Sequence, residues 1–439
     1  MIKAPAWGYD QDLLLFRCTY GDGQRERKYC CRMIKLFTYR KIKVVSHYPL
    51  ARVCRSAAQR GQQLQESLQQ AMTKRHQVRE LPTFGIERAA KLIGCSTNYL
   101  RRLEEEEVIP QAKTITAGSV QRRLYTYNTV NEIKKKIERL PDGAKGARTA
   151  HVVFANLKGG VGKTTMALHF AQYLAREGYE VLLVDADPQA TITGAFGFIP
   201  ELDLGTGDDL FDAMVENPLA IKDAVKSTHW ANLALVPGRL ALQFVDWNLS
   251  QKEARDRVDL GPPIGRLRRA LQTVREQYDV IVIDTPPALG MLSINAIAAS
   301  DLLIMPIVPH MYDISSSIHF FKLLTQLSEL HSEEINVQRL AILLTKVDQS
   351  TETYNNIELI RRTYGDLLLS NRMGLTRELQ KTASDMVTIY ETEQPRGSRE
   401  TYNRAVVMLD AVNEEILLAV RQLWHQQRIA NEQGGNHDA

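Results

Sequence analysis

The segment KGGVGKTT, residues 158–165, carries three glycines, two lysines and two threonines at the spacing that phosphate binding requires. An apolar run precedes it and a helical pattern follows, which is the setting of a phosphate-binding loop between a strand and a helix. Closely spaced glycines let backbone N–H groups close around phosphate oxygens, and the helix N-terminus adds its positive end. The residues that we expect to bind a nucleotide are Gly159, Gly160, Val161, Gly162, Lys163, Thr164 and Thr165.

Two side chains of this loop have specific chemistry. The Lys163 ammonium would supply a positive charge to the β- and γ-phosphates, and the Thr164 hydroxyl would ligate Mg²⁺. Leu157 stands where the usual GxxxxGK[ST] pattern has a glycine, so the match to that pattern is incomplete. A glycine-rich turn that binds nothing is the alternative interpretation, and the strand before the loop and the helix after it argue against it.

Aspartates follow two other apolar runs of the chain. VLLVDADPQ contains Asp185 and Asp187, and IVIDTPP contains Asp284. Carboxylates at the carboxyl ends of parallel strands lie beside the crevice in which such sheets bind nucleotides. A Mg²⁺ ion needs one or two carboxylates nearby, and an attacking water needs an acceptor that orients it. Aspartates after strands also occur as turn or cap residues, but three of them behind a phosphate-binding loop favour a catalytic centre.

The three motifs KGGVGKTT, VDADPQ and IDTPP together resemble the deviant Walker family of ATPases, which includes ParA and MinD. The resemblance covers residues 150–425 or so, and it implies a catalytic set of Lys158, Lys163 and Asp187. In that family the first lysine of the loop reaches the nucleotide of a partner subunit, as Lys158 would, and Asp187 would polarise the attacking water. The resemblance also implies that Thr164 and Asp284 hold Mg²⁺, that ATP and Mg²⁺ are the cofactors, and that the chain forms a homodimer.

Sequence features separate the branches of this family. Every cysteine lies at or before Cys95, which excludes the ligands for the iron–sulfur cluster of the nitrogenase-type branch. The chain ends in NEQGGNHDA, whereas MinD-type proteins end in an amphipathic membrane-binding helix. No apolar run reaches the length of about 18 residues that a transmembrane span needs, and no signal peptide is apparent. We therefore expect no membrane partner and a cytoplasmic, nucleoid-associated partition ATPase.

Residues 83–140 have the pattern of a small DNA-binding domain. Two short helical segments flank a Gly-Cys-Ser turn, with Ser96 as the N-cap of the second helix. Residues 114–126 then indicate a basic β-wing, so the domain resembles the winged helix-turn-helix of the longer partition ATPases. The side chains that we expect at operator DNA are Asn98, Arg101, Arg102, Arg122 and Arg123. An ordinary pair of antiparallel helices is the alternative.

Two further basic residues are candidates for non-specific DNA binding, and the first of them resembles such a contact in F-plasmid-type partition ATPases. Lys381 occupies the corresponding position in the ATPase region, and Arg399 lies in the nearby segment QPRGSRETYNRA. The charge distribution agrees with a polyanionic partner, since residues 1–150 hold 29 Lys and Arg against 14 Asp and Glu, a balance of +15. Residues 151–439 hold 26 against 37, a balance of −11. Solvated surface charge is the alternative for each of these side chains.

From residue 151 onward, apolar runs such as EVLLVDAD, DVIVID and DLLIMPIV alternate with helical patterns. Runs this uniformly apolar are buried on both faces, which predicts an α/β fold of the P-loop NTPase type, a parallel sheet flanked by helices, preceded by the small, mostly α domain. The domains that we expect are an uncharacterised extension at 1–45, a helix that could contact a second subunit at 46–82, the DNA-binding domain at 83–140, a linker at 141–150, the ATPase domain at 151–428 and a disordered tail at 429–439.

The resemblance to the ParA branch of this family implies an ATPase of weak intrinsic activity that partitions DNA. It would bind DNA without sequence preference as an ATP dimer, respond to a ParB-type centromere-binding protein, and repress its own operon through the helix-turn-helix. A nucleotide-sensing transcriptional repressor without a partition role is one alternative, and a MinD-like spatial regulator is another.

Overall fold

The computed structural model describes residues 54–56, 59–61, 63, 80–117, 120–392, 395 and 397–434. The chain divides into two compact units, Met1–Gln77 and Val78–Ala439. The extension expected at 1–45 and the apolar residues Leu64, Leu68 and Met72 of the expected N-terminal helix lie outside the described residues. In the described part of the chain, no helix combines the length and the apolar character needed to cross a membrane.

The second unit begins with a small module of three helices and a β-hairpin. Gly94 ends the first helix with a φ of 75°, a left-handed conformation that glycine adopts without strain. The Ser96 hydroxyl caps the second helix by accepting the Tyr99 N–H at 3.1 Å, as the sequence predicts. The elements of the module are α1 (Ile86–Ile93), α2 (Thr97–Glu105), β1 (Lys113–Ala117), β2 (Val120–Leu124) and α3 (Tyr127–Lys136), and the two strands are antiparallel.

The ATPase region is built on a seven-stranded sheet. Its strands are β3 (Ala150–Phe154), β4 (Val181–Asp185), β5 (Lys226–Ser227), β6 (Leu233–Val236), β7 (Val280–Asp284), β8 (Leu302–Ile307) and β9 (Arg339–Leu344). Their order across the sheet is β5-β6-β4-β7-β3-β8-β9. Neighbouring strands are parallel except at one edge, where the two-residue strand β5 is antiparallel to β6. The prediction of a parallel sheet is therefore confirmed for every strand of this sheet except β5.

Thirteen helices of this region are described. They are α4 (Lys163–Glu177), α5 (Thr191–Ala195), α6 (Pro200–Asp203), α7 (Leu210–Val215), α8 (Ile221–Ala224), α9 (Gln243–Ser250), α10 (Lys252–Asp256), α11 (Arg266–Gln272), α12 (Met291–Ala299), α13 (Met311–Leu330), α14 (Thr351–Tyr364), α15 (Arg377–Ser384) and α16 (Arg399–Gly434). Short 3₁₀ turns lie at Pro218–Ala220, Leu240–Leu242, Val258–Leu260, Arg275–Gln277, Gly365–Leu367 and Ile389–Glu391.

Helices cover both faces of the sheet. Successive side chains of a strand point to opposite faces. Val152 and Phe154 of β3 accordingly join the apolar cluster that includes α4 and α16, whereas Val153 joins the cluster that includes α11 and α12. All five residues of β3, β4 and β7 are buried, which explains why these strands read as uninterrupted apolar runs.

The last helix is longer than the sequence suggested. We expected a disordered tail at 429–439, but α16 continues to Gly434. The expectation was therefore wrong for residues 429–434, and residues 435–439 lie outside the described part of the chain. The polar sequence after Gln427 contains neither proline nor glycine before Gly434, so nothing in it interrupts the helix.

Residues 141–149, which we expected to form a linker, are packed turns. Asp279 Oδ1 accepts the Ala144 N–H at 2.8 Å, and Gln427 Oε1 accepts the Arg148 N–H at 3.0 Å. A Cβ atom at Gly143, where φ is 57°, would lie 2.0 Å from the Asp279 carboxylate, so this close approach requires glycine. The module and the ATPase region consequently belong to one compact unit rather than to two domains on a loose tether.

Helix α3 joins the module to the carboxyl end of α4. Asn131 Nδ2 donates to the Ala175 carbonyl at 2.7 Å, and Lys134 Nζ donates to the Glu177 carbonyl at 3.2 Å. These bonds bring side-chain donors of the module to backbone carbonyls at the carboxyl end of α4. The Tyr127 ring stacks on Trp230, with 5.3 Å between the ring centroids. The amino end of the same helix, α4, follows the glycine-rich loop, so one rigid element connects the module to that loop.

Candidate functional site

A pocket of about 220 Å³ opens at the carboxyl ends of the central strands. It lies between the glycine-rich loop that follows β3 and the segments that follow β4 and β7. Its lining residues are Gly160, Gly162, Lys163, Thr164, Thr165, Asp187, Pro287 and Lys346. The fold thus brings all three sequence motifs to one cavity, at the edge of the sheet where α/β proteins bind ligands.

The backbone of the glycine-rich loop has the conformation that its sequence requires. Gly160 and Gly162 have φ values of 73° and 96°, which favour glycine. Thr345, at the end of β9, donates its hydroxyl to the Val161 carbonyl at 2.7 Å and holds the middle of the loop. Leu157, which replaces the first glycine of the usual pattern, packs its side chain against the apolar core. The Leu157 side chain therefore anchors the start of the glycine-rich loop on the apolar core.

Lys163 begins α4 and is buried, at 5% exposure. Its ammonium donates to the Lys158 carbonyl at 3.1 Å. Burial lowers the pKa of Lys163, and the nearby Asp284 and Asp187 carboxylates partly oppose that change. One hydrogen bond to a carbonyl leaves ammonium protons for other acceptors, so this side chain can bind phosphate oxygens inside the pocket.

Asp284 ends β7 and is fully buried. Neither carboxylate oxygen has a hydrogen-bond partner among the described residues. Burial, and after it the Asp185 carboxylate, raise the pKa of Asp284 well above its ordinary value. The nearby Thr164 hydroxyl lowers the pKa of Asp284, although its position does not meet the geometry of a hydrogen bond. A buried carboxylate in this condition is costly, and a hydrated divalent cation beside it would satisfy both oxygens.

The two aspartates after β4 differ in their surroundings. Asp185 Oδ2 accepts the backbone N–H and the hydroxyl of Thr193, at 2.9 and 2.7 Å. Burial raises the pKa of Asp185 to about 6, although these hydrogen bonds lower it. Asp187 lines the pocket, and its Oδ1 accepts the Gln189 N–H at 2.9 Å. Asp185 thus holds the segment that follows β4 in place, whereas the Asp187 side chain lies in the pocket, where a ligand would bind.

Lys158 is absent from the lining of the pocket. Its ammonium lies 2.6 Å from Oδ2 of Asp313, in the first turn of α13. The lysine side chain is 39% exposed and the aspartate side chain 4% exposed. The other carboxylate oxygen, Oδ1 of Asp313, has no partner among the described residues. The Lys158 ammonium is therefore paired with α13 and does not line the nucleotide pocket of its own subunit.

Three residues near the site were not identified as site residues from the sequence. Gly238 lies against the aspartate segment, and a Cβ there would be 2.7 Å from the Asp187 carbonyl. Thr193 braces Asp185, as described above. Lys346 lines the pocket and has a φ of 51°. The VPG sequence before a turn is the signal that could have revealed Gly238.

The side chains of the module that we expect at operator DNA fall into two groups, and Arg123 alone forms the first. Its Nε donates to Glu104 Oε2 at 2.7 Å, and the Tyr125 hydroxyl donates to Oε1 at 2.6 Å. Burial, together with the hydrogen bond to Glu104, raises the pKa of Tyr125. The Glu104 side chain is 3% exposed, so Arg123 neutralises a buried charge. This structural role was not evident from the sequence.

The second group is exposed. Asn98, Arg101 and Arg102 lie three and four residues apart and therefore on one face of α2. Arg101 Nη1 donates to Asn98 Oδ1 at 3.0 Å, and the Arg102 guanidinium lies over the Tyr99 ring, 5.3 Å from its centroid. Arg122 is exposed on β2. These four side chains are accessible to a ligand, unlike the Glu104-bound Arg123.

The remaining two DNA candidates lie in the ATPase region. Lys381 is in the last turn of α15, and Arg399 is the first residue of α16. Both side chains are exposed. The structure therefore places the two proposed DNA-binding sets on different elements of the unit.

Comparisons with known proteins agree with the fold and the loop. A family model described as an AAA domain matches residues 149–338. A putative replication protein A of Rhizobium rhizogenes is 30% identical over 363 residues, 80% of this chain and 89% of that protein. The protein SopA of Escherichia coli strain K12 is 32% identical over 336 residues, 75% of this chain and 86% of that protein. A solved structure titled partition protein matches with a TM-score of 0.60, over 82% of this chain and 98% of that one, at 22% identity.

Proposed function

Because this chain belongs to the ParA-type family of partition ATPases, we propose that it uses ATP binding and hydrolysis to switch its affinity for DNA during segregation. The ATP-bound form is a dimer that binds DNA without sequence preference. A ParB-type partner bound at a centromere stimulates hydrolysis and releases the dimer. Intrinsic hydrolysis is weak, because it is the partner complex that completes the orientation of the attacking water.

The observation that carries the proposal is the convergence of the nucleotide-site residues on one pocket. Lys163, Thr164 and Asp187 line it, and the buried carboxylate of Asp284 lies next to the ammonium of Lys163. In this arrangement the backbone N–H groups of the glycine-rich loop and the amino end of α4 bind the phosphates. Lys163 places its charge on the β- and γ-phosphates.

The pocket also fits a magnesium ion. The Thr164 hydroxyl and the unpartnered oxygens of Asp284 are hard oxygen donors, which Mg²⁺ and its retained waters prefer. When bound, the ion would neutralise charge on the β- and γ-phosphate oxygens. Asp284 would accept hydrogen bonds from the water shell of the ion and so hold it in register with the phosphates.

Asp187 is the residue that we assign to the attacking water. It lies in the pocket, and its Oδ1 is fixed by the Gln189 N–H. A carboxylate held in this way can accept a proton of the water and align its lone pair with the γ-phosphate. Lys158 acts in the dimer, where it leaves Asp313 and reaches the nucleotide of the partner subunit.

DNA binding is assigned to two separate surfaces. Lys381 and Arg399 contribute to non-specific binding through phosphate neutralisation, which does not depend on base sequence. Asn98, Arg101, Arg102 and Arg122 belong to the module and contact an operator, through which the protein represses its own operon. Because its ligand is DNA rather than a membrane, we place the protein on the nucleoid, in the cytoplasm.

Segregation is the activity that tests this proposal. A low-copy plasmid that carries the gene and its operon should be inherited stably, and the Lys163→Ala variant should reduce its inheritance to random segregation. Lys322→Ala, an exposed change on α13, serves as the matched control and should preserve inheritance. Stable inheritance with Lys163→Ala, combined with derepression of the operon, would instead identify a nucleotide-sensing repressor.

A further inference from the structure

A second, smaller pocket of about 50 Å³ lies at the opposite edge of the sheet. Thr149 and His151 flank the first residue of β3, and Asp301 immediately precedes β8. Arg268 and Gln272 of α11 and Arg275 of the following 3₁₀ turn complete the wall. Since β3 runs from this pocket to the glycine-rich loop, its five residues separate the two sites by about 17 Å. The pocket is therefore independent of the nucleotide phosphates.

The positive charge in this pocket exceeds the negative charge. Three guanidinium groups line it, from Arg148, Arg268 and Arg275, and Asp301 is the carboxylate among the lining residues. Arg148 Nη2 donates to Asp301 Oδ1 at 2.6 Å, and the His151 N–H binds the other oxygen at 2.9 Å. The Asp301 carboxylate is thus already paired with Arg148 and with the backbone of His151.

The other two arginines lack an anionic partner of their own. Arg268 Nη2 has a long, 3.4 Å hydrogen bond to the Ser300 carbonyl. The guanidinium of Arg275 makes no hydrogen bond or ion pair within the part of the chain that the structure describes. Burial lowers the pKa of Arg268; Asp301 opposes this and Arg148 adds to it. Each guanidinium carries five N–H donors, so most of these donors are available to a ligand.

We propose that this pocket binds a phosphate group through Arg268 and Arg275. A guanidinium fork matches two phosphate oxygens, and the two forks here flank one small cavity. A cavity of about 50 Å³ has room for about four waters, which is the size of a phosphate and smaller than a nucleoside. The phosphate comes either from free phosphate or from the backbone of duplex DNA, and the DNA source rests on the proposed function.

The first arm of the test uses inorganic phosphate and does not depend on DNA. Full-length protein is saturated with ADP and Mg²⁺, so that the glycine-rich loop is occupied, and its Tm is measured in phosphate and in chloride at equal ionic strength. Phosphate at tens of millimolar should raise the Tm by about 2 °C or more, and the Arg268→Gln/Arg275→Gln variant should lose this shift. Arg361→Gln/Arg362→Gln removes two exposed arginines of α14 and should retain it.

The second arm uses random duplex DNA across a salt series in the presence of a slowly hydrolysed ATP analogue. If the phosphate belongs to DNA, the Arg268→Gln/Arg275→Gln variant should reduce the salt slope of binding by about two units, and the control variant should not. Arg275→Glu is a second variant, with an expected loss of at least one unit. Because the Arg275 guanidinium makes no hydrogen bond or ion pair among the described residues, its replacement leaves no internal partner unsatisfied.

The two arms separate the outcomes. A phosphate-dependent Tm shift without a change in the DNA slope assigns the pocket to free phosphate, and a change in slope assigns it to DNA. Equal behaviour of wild type and both pocket variants in both arms would overturn the proposal. If the wild type itself does not bind DNA, the proposed function fails in that respect, while the phosphate arm still tests the pocket.

Discussion

The ammonium of Lys158 lies 2.6 Å from the carboxylate of Asp313, although 155 positions separate the two residues in the chain. This ion pair holds the first lysine of the glycine-rich loop against its own subunit. In the proposed dimer the same lysine reaches the nucleotide of the partner, so it must leave Asp313 first. The resting conformation of this side chain therefore opposes dimerisation.

Replacement of Asp313 by Asn should tighten the ATP-dependent dimer. The lysine side chain is 39% exposed, so solvent screens the pair and its loss should change dimer affinity by about 1 kcal/mol, or about fivefold. Sedimentation velocity with a slowly hydrolysed ATP analogue measures the dimer dissociation constant, with Asp366→Asn as an exposed control. A weaker dimer would show instead that Asp313 supports Lys158 in the assembled state.

Asp187→Ala should stop turnover while leaving nucleotide binding intact. The carboxylate acts on the attacking water, so we expect hydrolysis to fall by a factor of about 100 or more. ATP affinity should change by less than about threefold, because Lys163 and the loop backbone bind the phosphates. Steady-state phosphate release and equilibrium binding measure the two quantities, and Asp223→Ala on α8 is the control. A variant with wild-type turnover would remove Asp187 from the catalytic step.

The Arg101→Ala/Arg102→Ala variant should lose operator protection in a footprint and keep the basal ATPase rate. Both side chains are exposed on α2, and neither lies near the nucleotide pocket. Each lost base or phosphate contact should weaken binding by about 1–3 kcal/mol. Arg123→Ala makes an informative contrast, because its ion pair with Glu104 is structural and its loss should lower the Tm. Footprints that survive in the double variant would show that α2 is not the recognition helix.

Lys381→Ala should weaken non-specific DNA binding and spare the operator. Removal of one phosphate contact should lower the salt slope of binding by about one unit. Nucleotide affinity should not change, since the residues that line the nucleotide pocket do not include Lys381. Lys322→Ala on α13 provides the surface-charge control. A slope identical to that of the wild type would mean that Lys381 is not part of the surface that binds DNA without sequence preference.

The parts of the structure that the sequence could predict depend on contiguous segments. A phosphate loop needs eight adjacent residues, and a strand buried on both faces needs a short apolar run, so β3, β4, β7 and β8 are predictable directly. The Ser96 cap was predictable for the same reason, because its partner Tyr99 is three residues away. Local spacing alone was sufficient for these features.

The parts that could not be predicted depend on residues far apart in the chain. Nothing local to Arg123 reveals that it neutralises Glu104, and nothing local to Lys158 indicates Asp313. The packing of the module against the ATPase region includes the stack of Tyr127 on Trp230, two residues that only the tertiary fold brings together. The two-residue strand β5 is too short to leave a periodic pattern.

The proposal that ATP binding switches the affinity of this protein for DNA can be tested by a binding measurement with two nucleotides. The measurement is the affinity of full-length protein for random duplex DNA with ADP and with a slowly hydrolysed ATP analogue, for the wild type and for Lys163→Ala. We expect the ATP analogue to tighten wild-type binding by at least about tenfold over ADP, and we expect Lys163→Ala to lose this difference because its pocket no longer binds the β- and γ-phosphates. Equal affinity of the wild type with both nucleotides, or an undiminished difference in Lys163→Ala, would contradict it.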